Sequence, residues 1–398
     1  MPELSKAWLD DTTLRVMTYR SGSFTFSLSL DLQGLQPMID RVNDAQQRFN
    51  KMPALPHIID QMQEKVLASS VYSTNTIEGG EFTEEETAQI LRIDPKLIQK
   101  TEEKRLTNLK QAIEWVKQNS QQPDHNQLRT NQAQIITMQD VFTLHQLVSQ
   151  GVDEQTNPPA QFRNNQPGQK TLVGNAAHGG TYRPPKSLDD IEYVMQAWLE
   201  WLNHPAIMQQ SALIRASLAH FYFELIHPFW DGNGRTGRLI EMLILEQSGY
   251  RFSASAVWRY YQQNLHQYFA LFNQCRKLAE QKQPPAHQGF VSFMIEGMFA
   301  TINDLHDQAN SIISFLLYKN ALNDARSTKV LSERQFNLVE LYMSLLSAGS
   351  SALTPSELYK TPVVRGLFSD KTERTYYRDI EKIVQSGFLK DSGGKLYI

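Results

Sequence analysis

The stretch HPFWDGNGRTGRL, His227 to Leu239, decides the fold of the chain. The residues before it, SALIRASLAHFYFELI, have apolar side chains at helical spacing, and so do those after it, RLIEMLILEQ. The glycines therefore lie in a turn between two helices, and we expect the second helix to begin near Asn233. Its free N–H groups and the positive end of its dipole would face the turn and bind an anion.

Glycines and arginines in this stretch suit a phosphate ligand. Gly232 and Gly234 lack a Cβ, so a ligand can approach the backbone closely. Arg235 and Arg238 are three residues apart, so both guanidinium groups project from one helix face toward the turn. Two bidentate cations beside backbone amides suit a polyphosphate better than a single carboxylate. A P-loop is disfavoured, because Arg238 and Leu239 replace its Lys and Ser or Thr and no strand precedes the stretch.

The same stretch supplies a metal ligand and a base. Asp231 would repel phosphate unless a cation lies between them, which predicts Mg²⁺ held by one carboxylate and by phosphate oxygens. His227 ends the first helix and can change its protonation near neutral pH, which makes it the candidate general base. Taken singly, a histidine before a proline is usually a cap or a surface residue, and Asp-Gly-Asn-Gly is usually a turn. The functional interpretation depends on all these parts occurring in one short run.

Composition limits the class of protein. With 398 residues the chain predicts two or three domains. Its 39 Lys and Arg against 42 Asp and Glu give a formal net charge of −3, so the whole chain does not attract nucleic acid or membrane. The single cysteine, Cys275, excludes an internal disulfide and a multi-cysteine metal site. The sequence shows no signal peptide and no membrane span, so we expect a cytoplasmic protein.

Periodicity predicts a mainly α protein with small β pieces. Phe24 to Leu30 alternate as a half-buried strand does, and a helix is predicted from Pro56 to the stop at Gly79-Gly80. Another helix opens at Thr83, which forms a capping box with Glu86. Further helical patterns cover residues 101–117, 137–150, 187–203 and 211–226. The stretch QKTLVGNAAHGGTYRPP predicts a β-hairpin, and the Gln- and Asn-rich residues 118–134 predict a solvated linker.

The last segment has the pattern of a winged helix-turn-helix. Three capping boxes predict three short helices, which pair Ser332 with Gln335, Thr354 with Glu357 and Asp370 with Glu373. Gly387 closes the third helix, and FLKDSGGKLYI predicts two strands around Gly393-Gly394. Residues 331–398 contain nine Lys and Arg against eight Asp and Glu, a net charge of +1.

The stretch HPFWDGNGRTGR resembles, at every defined position, the H-x-F-x-[DE]-G-N-G-R-x-x-R signature of the Fic domain (filamentation induced by cAMP). The resemblance covers roughly residues 65 to 310 and implies a Fic-type helical bundle that transfers AMP from ATP to a protein hydroxyl. It implies that His227 deprotonates a target Ser, Thr or Tyr, that Asp231 holds Mg²⁺ and that Phe229 anchors the loop. Phosphate contacts are implied for Asn233, for the amides of Gly232 and Gly234, and for Arg235 and Arg238. The hairpin resembles the family's flap, which clamps the nucleotide near Val173 and can pair with a target segment.

A second motif resembles the inhibitory pattern of one branch of this family. TNTIEGG matches [ST]-x-x-x-E-[GN] at Thr74, Glu78 and Gly79, and it precedes the Fic core. A Glu in the last turn of a helix opposes the helix dipole, which a partner such as Arg238 would explain. The alternative is a solvent-facing Glu, since glutamates are mostly exposed.

Three regions are predicted: an N-terminal segment with the inhibitory helix over residues 1–100, the Fic core over 101–325 and the winged helix over 331–398. The leading hypothesis is an autoinhibited protein adenylyltransferase that uses ATP and Mg²⁺ and modifies a target protein or itself. Removal of AMP, with Glu78 positioning water, and use of another nucleotide or a phosphocholine donor stay open. A DNA-binding regulator with a Fic sensor core is a different alternative, although a charge of +1 attracts phosphate weakly and a protein-contact or homodimer module fits at least as well.

Overall fold

The structure, a computed structural model, describes residues 4–52, 56–120, 135–166, 168–347 and 351–398. Its contacts divide the chain into two compact units, Met1–Gln308 and Ala309–Ile398, which are described separately. Helices dominate both units, which confirms the mainly α class. Residues 121–134, most of the predicted linker, lie outside the described residues. None of the described helices is long and apolar enough to cross a membrane.

The first unit begins with a small antiparallel sheet. Its strands are β1 (Ser5–Asp10), β2 (Thr13–Met17) and β3 (Ser23–Ser27), in that spatial order. Leu14 pairs with Phe26, and both side chains are fully buried. The predicted strand to Leu30 is too long, because the chain leaves the sheet after Ser27 and Asp31 then caps the next helix by accepting a bond from Gly34 N–H.

Helices build the rest of this unit, and the structure confirms the helical patterns predicted for it. The first five are α1 (Leu32–Asn50), α2 (Pro56–Ile77), α3 (Glu84–Ile90), α4 (Thr101–Asn119) and α5 (Met138–Ser149). Helix α2 stops before Gly79 as expected, and the capping box of Thr83 and Glu86 is present. The predicted hairpin is formed by β4 (Val173–Asn175) and β5 (Gly180–Tyr182).

Two helices in the middle of this unit, α8 (Ala212–Ile226) and α9 (Asn233–Gln247), flank the glycine-rich turn that follows His227. The remaining helices are α6 (Leu188–Leu202), α7 (Pro205–Met208), α8 (Ala212–Ile226), α9 (Asn233–Gln247), α10 (Ser253–Gln263), α11 (Leu265–Glu280) and α12 (Gln288–Ser327). Almost every side chain of α8 and most of those of α9 are buried, as expected for helices enclosed on all sides. The turn between them is therefore supported on both sides by a buried helix.

The second unit contains the end of α12 and the last elements of the chain. These are α13 (Glu333–Ser347), α14 (Pro355–Lys360), α15 (Pro362–Leu367), α16 (Glu373–Gln385), β6 (Lys390–Ser392) and β7 (Lys395–Tyr397). They enclose an apolar core of their own, which includes Leu338, Tyr342, Ile383 and Leu396. The hairpin around Gly393-Gly394 is confirmed.

Two details of the prediction for this unit are wrong. The described residues after α12 form four helices instead of three, because Pro362 starts the additional short helix α15 directly after α14. The capping box of Asp370 does not form, because Asp370 accepts a hydrogen bond from Lys371 and Thr372 precedes α16 as its cap residue. The identification of this unit as a winged helix-turn-helix stays a prediction.

Candidate active site

The turn between α8 and α9 has a backbone that exposes helix N–H groups. His227 ends α8 in the left-handed region, with φ of 48°, and Gly232 precedes α9 with φ of 85°. Helix α9 begins at Asn233, as predicted, and no side chain of the described residues caps its first N–H groups. A helix that begins in this way offers donors and positive potential to an anion.

A buried arginine from a distant segment holds His227 in its unusual conformation. Arg163 is fully buried, and its Nε donates to the carbonyl oxygen of His227 at 2.7 Å. Its backbone N–H donates to Pro228 O at 2.9 Å, and Nη2 donates to Pro185 O at 2.6 Å. Burial lowers the pKa of Arg163 to about 10, so the guanidinium stays charged at neutral pH. Nothing in the local sequence around residue 163 predicts this role.

The floor of the turn is formed by His145 of α5. Its ring stacks on Phe229 with 3.6 Å between ring centroids and an interplanar angle of 6°. Nδ1 accepts a hydrogen bond from Ala160 N–H at 3.0 Å, so Nε2 carries the proton and donates to Asp231 O at 3.0 Å. Burial lowers the pKa of His145 to about 4, which agrees with a neutral ring. Phe229 is fully buried, as expected for the residue that anchors the loop.

The side chain of Asn233 holds the shape of the turn. Its Oδ1 accepts from Phe229 N–H and its Nδ2 donates to Phe229 O, both at 2.9 Å. Asn233 is buried, and both ends of its amide are used. A phosphate contact by residue 233 would therefore come from its backbone N–H.

Asp231 and Arg235 form an ion pair at the mouth of the turn. Arg235 Nη2 lies 2.8 Å from Asp231 Oδ2, and Gly232 N–H donates to Oδ1 at 2.6 Å. Burial opposes ionisation of Asp231, but Arg235 and the Gly232 N–H outweigh it and lower the carboxyl pKa below its usual value. The side chain of Asp231 is 47% exposed, so this charged carboxylate is open to a ligand.

Glu78 follows α2 and reaches the start of α9. Its Oε1 accepts a hydrogen bond from Arg238 Nη2 at 2.5 Å, and Thr74 Oγ1 accepts from Arg238 Nε at 2.8 Å. A Cβ at Gly234 would lie 2.3 Å from Glu78 Oε1, so only glycine allows this approach. The carboxylate therefore lies against the first turn of α9, where its N–H groups favour an anion. Gly79, with φ of 86°, turns the chain away immediately afterwards.

Arg238 is held from behind by a buried chain of hydrogen bonds. Its Nη1 can only donate, so Tyr268 OH accepts from it at 3.2 Å and then donates to His220 Nε2 at 3.0 Å. His220 Nδ1 carries the ring's proton and donates to Glu241 Oε2 at 2.5 Å. Burial raises the pKa of Tyr268, which keeps its hydroxyl protonated as a donor. The buried guanidinium is thus linked to the buried carboxylate of Glu241 through two neutral groups.

The flap is attached to both α8 and α11. Val173 lies opposite Tyr182 in the hairpin, and Tyr182 OH donates to Glu224 O in the last turn of α8 at 2.5 Å. Asn273 of α11 donates to Gly180 O at 2.8 Å. Val173 thus lies in β4, and the paired strand β5 is hydrogen-bonded to the end of α8, next to the turn between α8 and α9.

The predicted residues therefore come together in two groups. His227, Asp231, Arg235 and the glycines share the turn, while Thr74 and Glu78 meet Arg238. The two arginines lie at the same end of α9, as predicted, but they pair with different carboxylates. Among the described residues no cluster of three or more His, Cys, Asp or Glu forms a metal site, so a cation here would have to use ligand oxygens as well as Asp231.

Comparison with known proteins agrees with this geometry. Residues 135–245 match the model of the Fic/DOC family. The chain is 25% identical over 254 residues to the protein adenylyltransferase Fic of Nematostella vectensis, covering 60% of this chain and 50% of the relative. It is 36% identical over 115 residues to that of Drosophila erecta, covering 29% of this chain and 21% of the relative. The chain thus spans about half or less of the length of these curated relatives.

The fold is shared with a crystal structure of a Fic family protein from Desulfovibrio desulfuricans G20. The two superpose with a TM-score of 0.52 at 17% identity, covering 91% of this chain and 94% of the other. The helical turn, the matched family model and the shared fold lead to one conclusion: the chain carries a Fic domain, centred on the turn between α8 and α9.

Proposed function

We propose that this protein is an autoinhibited protein adenylyltransferase, which transfers AMP from ATP to a hydroxyl of a target protein or of itself. The observation that carries the proposal is the single turn that joins a base, an ionised carboxylate and an anion site at the start of α9. The name protein adenylyltransferase, borne by the relatives, supports the same activity.

The residues of the turn have separate tasks in this proposal. His227 takes the proton of the target Ser, Thr or Tyr, whose oxygen bonds to the α-phosphorus while the bond to pyrophosphate breaks. The N–H groups at the start of α9 and the guanidinium groups of Arg235 and Arg238 stabilise the phosphate charge. Arg163 and His145 keep the backbone of the turn fixed, so the donors need no rearrangement when the transition state forms.

The carboxylate of Asp231 fits a magnesium ion bound with a nucleotide. It is ionised and half exposed, and it lies at the mouth of the anion site. Mg²⁺ prefers one or two carboxylates together with phosphate oxygens, and it neutralises phosphate charge when bound. Asp231 would hold the ion by releasing Arg235, which is then available to phosphate.

Inhibition in this proposal is competition between two anions. Glu78 occupies Nη2 of Arg238 and the space beside Gly234. A γ-phosphate would need the same guanidinium, so ATP would bind in a pose that does not present its α-phosphate to the hydroxyl. Glu78 is 31% exposed on its side chain, so a modest shift of the end of α2 would release it.

Clamping of the nucleotide by the flap near Val173 also belongs to the proposal. A cytoplasmic location, a homodimer and a protein-contact role of the second unit remain predictions. Removal of AMP by the same site stays an alternative, since Glu78 lies near the turn and could position water.

The test is transfer of label from ATP to protein. The purified Glu78→Gly variant is incubated with Mg²⁺ and ATP labelled at the α- or the γ-phosphate, and a cell lysate is added only to a parallel α-labelled reaction, because kinases of a lysate transfer the γ-phosphate. We expect protein to be labelled from the α-position only, and labelling to disappear when His227→Ala is added. His204→Ala, which changes a histidine at the cap of α7, is the matched control and should keep the labelling. Label from the γ-position would show phosphoryl transfer and contradict the proposal.

A further inference from the structure

Glu224 lies one helical turn before His227, and its carboxylate faces the imidazole. Its Oε2 is 3.7 Å from His227 Nδ1, and the side chains of Glu224 and His227 are 14% and 22% exposed. This separation is an ion-pair distance and is longer than a hydrogen bond. His227 Nδ1 is buried and has no hydrogen-bond partner among the described residues.

The other oxygen of this carboxylate is also without a partner. Oε1 of Glu224 is buried and makes no hydrogen bond within the described part of the chain. An ionised carboxylate that is buried with one ion-pair contact and no hydrogen bond within the described residues costs stability, so its presence is poorly explained by folding alone. Burial opposes the charge, but His227 and Arg238 outweigh it and keep the pKa of Glu224 below its usual value.

A glycine in α9 makes room for the carboxylate. A Cβ at Gly237 would lie 3.0 Å from Glu224 Oε1, 3.0 Å from His220 Cδ2 and 3.3 Å from Phe223 Cδ1. Position 237 is one of the two positions between the arginines at which the motif allows any residue. The glycine found there is therefore a feature of this chain, and its lack of a side chain leaves space for the carboxylate of Glu224.

We propose that Glu224 is a positioning residue for the base: it accepts a hydrogen bond from His227 Nδ1 and leaves Nε2 free to take the proton of the target hydroxyl. This inference rests on the proposed function. A carboxylate at Nδ1 selects one tautomer of the ring and stabilises the imidazolium formed when the proton moves. Catalytic hydrogen bonds are often long in a resting site and shorten when substrate is bound.

The other polar groups around Glu224 and His227 already have partners of their own. His220 of α8 has both ring nitrogens occupied by Glu241 and Tyr268, and Arg238 of α9 is held by Thr74, Glu78 and Tyr268. Tyr182 of the flap uses its hydroxyl on the backbone oxygen of Glu224. The carboxylate of Glu224 is thus the acidic group that contacts His227 Nδ1 in the described structure.

The first arm of the test does not depend on activity. Protein labelled with ¹⁵N-histidine is measured by NMR at a pH where histidines are neutral, and the ring of His227 is assigned from the signals lost in His227→Ala. We expect the Nδ1–H tautomer in the wild type and a mixture of tautomers in Glu224→Gln. The same tautomer population in both proteins would overturn the proposal, whether or not the protein transfers AMP.

The second arm measures kcat and KM in the active Glu78→Gly background. Glu224→Gln should lower kcat about 10- to 1000-fold while KM for Mg-ATP changes less than about twofold, because the carboxylate acts on the base and not on the nucleotide. Glu224→Asp, which keeps the charge, should recover part of the loss, and Glu192→Gln on the exposed face of α6 should have no effect. Transfer with an unchanged kcat in Glu224→Gln would contradict the role of Glu224. Absence of transfer by Glu78→Gly itself would instead contradict the proposed function, and the NMR arm would still decide about the pair.

Discussion

At the scale of single residues, the site depends on groups whose partners lie far away in the chain. Arg163 bonds to His227 across 64 positions, and His145 bonds to Asp231 across 86. The motif itself could be predicted from sequence, because its residue types follow one another within a single turn. Its supports could not, because a lone arginine or histidine in a loop or helix carries no local sign of what it will contact.

The neutral ring of His145 predicts a loss of stability in mild acid. Its pKa is lowered from 6.5 to about 4 by burial, so between these values the unfolded chain binds a proton that the folded chain does not. The stability that the neutral ring of His145 contributes is fully present above pH 6.5 and is lost as the pH falls toward 4. We expect about 1 to 2 kcal/mol of unfolding free energy to be lost from this group between pH 7 and pH 5.

Urea denaturation at a series of pH values measures this effect. His145→Asn should be less stable than the wild type at pH 7 but should show a shallower dependence on pH between 7 and 5. His178→Asn, which changes a partly exposed histidine of the flap, is the matched control and should keep the wild-type slope. Equal slopes for His145→Asn and the wild type would show that the ring of His145 is not held neutral.

At the scale of elements, the helices were predictable and the small β pieces were only partly so. The helices α8 and α9 show an apolar period with a glycine-rich turn between them, and the Thr83 capping box marks the start of α3. Strands β1 and β2 were not predicted, because each is short and the pairing of β1 with β2 and of β2 with β3 decides which side chains are buried. Helix α15 has only six residues, so it is too short to show a period.

The hydrogen-bond chain behind Arg238 links α9 to α11 and predicts an effect on ATP binding. Tyr268→Phe removes the acceptor for Arg238 Nη1 and the donor for His220 Nε2. Because Arg238 would then be held only by Thr74 once Glu78 is absent, we expect KM for ATP to rise several-fold in the Glu78→Gly background. The variant should also lose about 1 to 3 kcal/mol of unfolding free energy, because His220 Nε2 is left without a partner in the core.

Competition binding distinguishes a loss of ATP binding from a general loss of stability in Tyr268→Phe. Affinity for ATP should fall more than affinity for AMP, since Arg238 is proposed to contact the outer phosphates. Tyr250→Phe, whose hydroxyl bonds to Asn43 away from the turn, controls for the loss of a buried hydroxyl. Equal loss of affinity for ATP and AMP would show that Tyr268 supports the fold and does not position Arg238.

At the scale of the whole molecule, the second unit has its own apolar core and should fold alone. This core includes Leu322 and Ala325 from the end of α12, and Tyr318 donates a hydrogen bond to Phe388 O. A fragment of residues 309–398 should therefore melt cooperatively. A fragment of 331–398, the predicted winged-helix region, lacks these three side chains and should be about 2 to 4 kcal/mol less stable.

Circular dichroism of the two fragments checks this expectation. A cooperative melt of the longer fragment at a clearly higher temperature is the expected result. Equal melting temperatures would show that the end of α12 does not contribute to the core. Salt-dependent binding of duplex DNA by the longer fragment would favour the alternative of a DNA-binding regulator.

For the molecule as a whole, we propose that Glu78 restrains a site that is otherwise ready to act. Release of Glu78 frees Nη2 of Arg238, while Thr74 and Tyr268 still hold the guanidinium in place. Glu78→Gly should therefore cost only about 1 to 2 kcal/mol of stability, because the carboxylate is partly exposed and the arginine keeps other partners. A less stable variant that is more active would be difficult to explain by structural damage.

The most direct test is the rate of AMP incorporation at saturating Mg-ATP by the wild type, Glu78→Gly and Glu81→Gly, with the affinity for ATP measured in parallel. We predict that Glu78→Gly raises turnover at least about tenfold with little change in affinity for ATP. Glu81→Gly, which changes an exposed glutamate three residues later, should behave as the wild type. Equal, low incorporation by the wild type and a folded Glu78→Gly variant would contradict the restraint by Glu78.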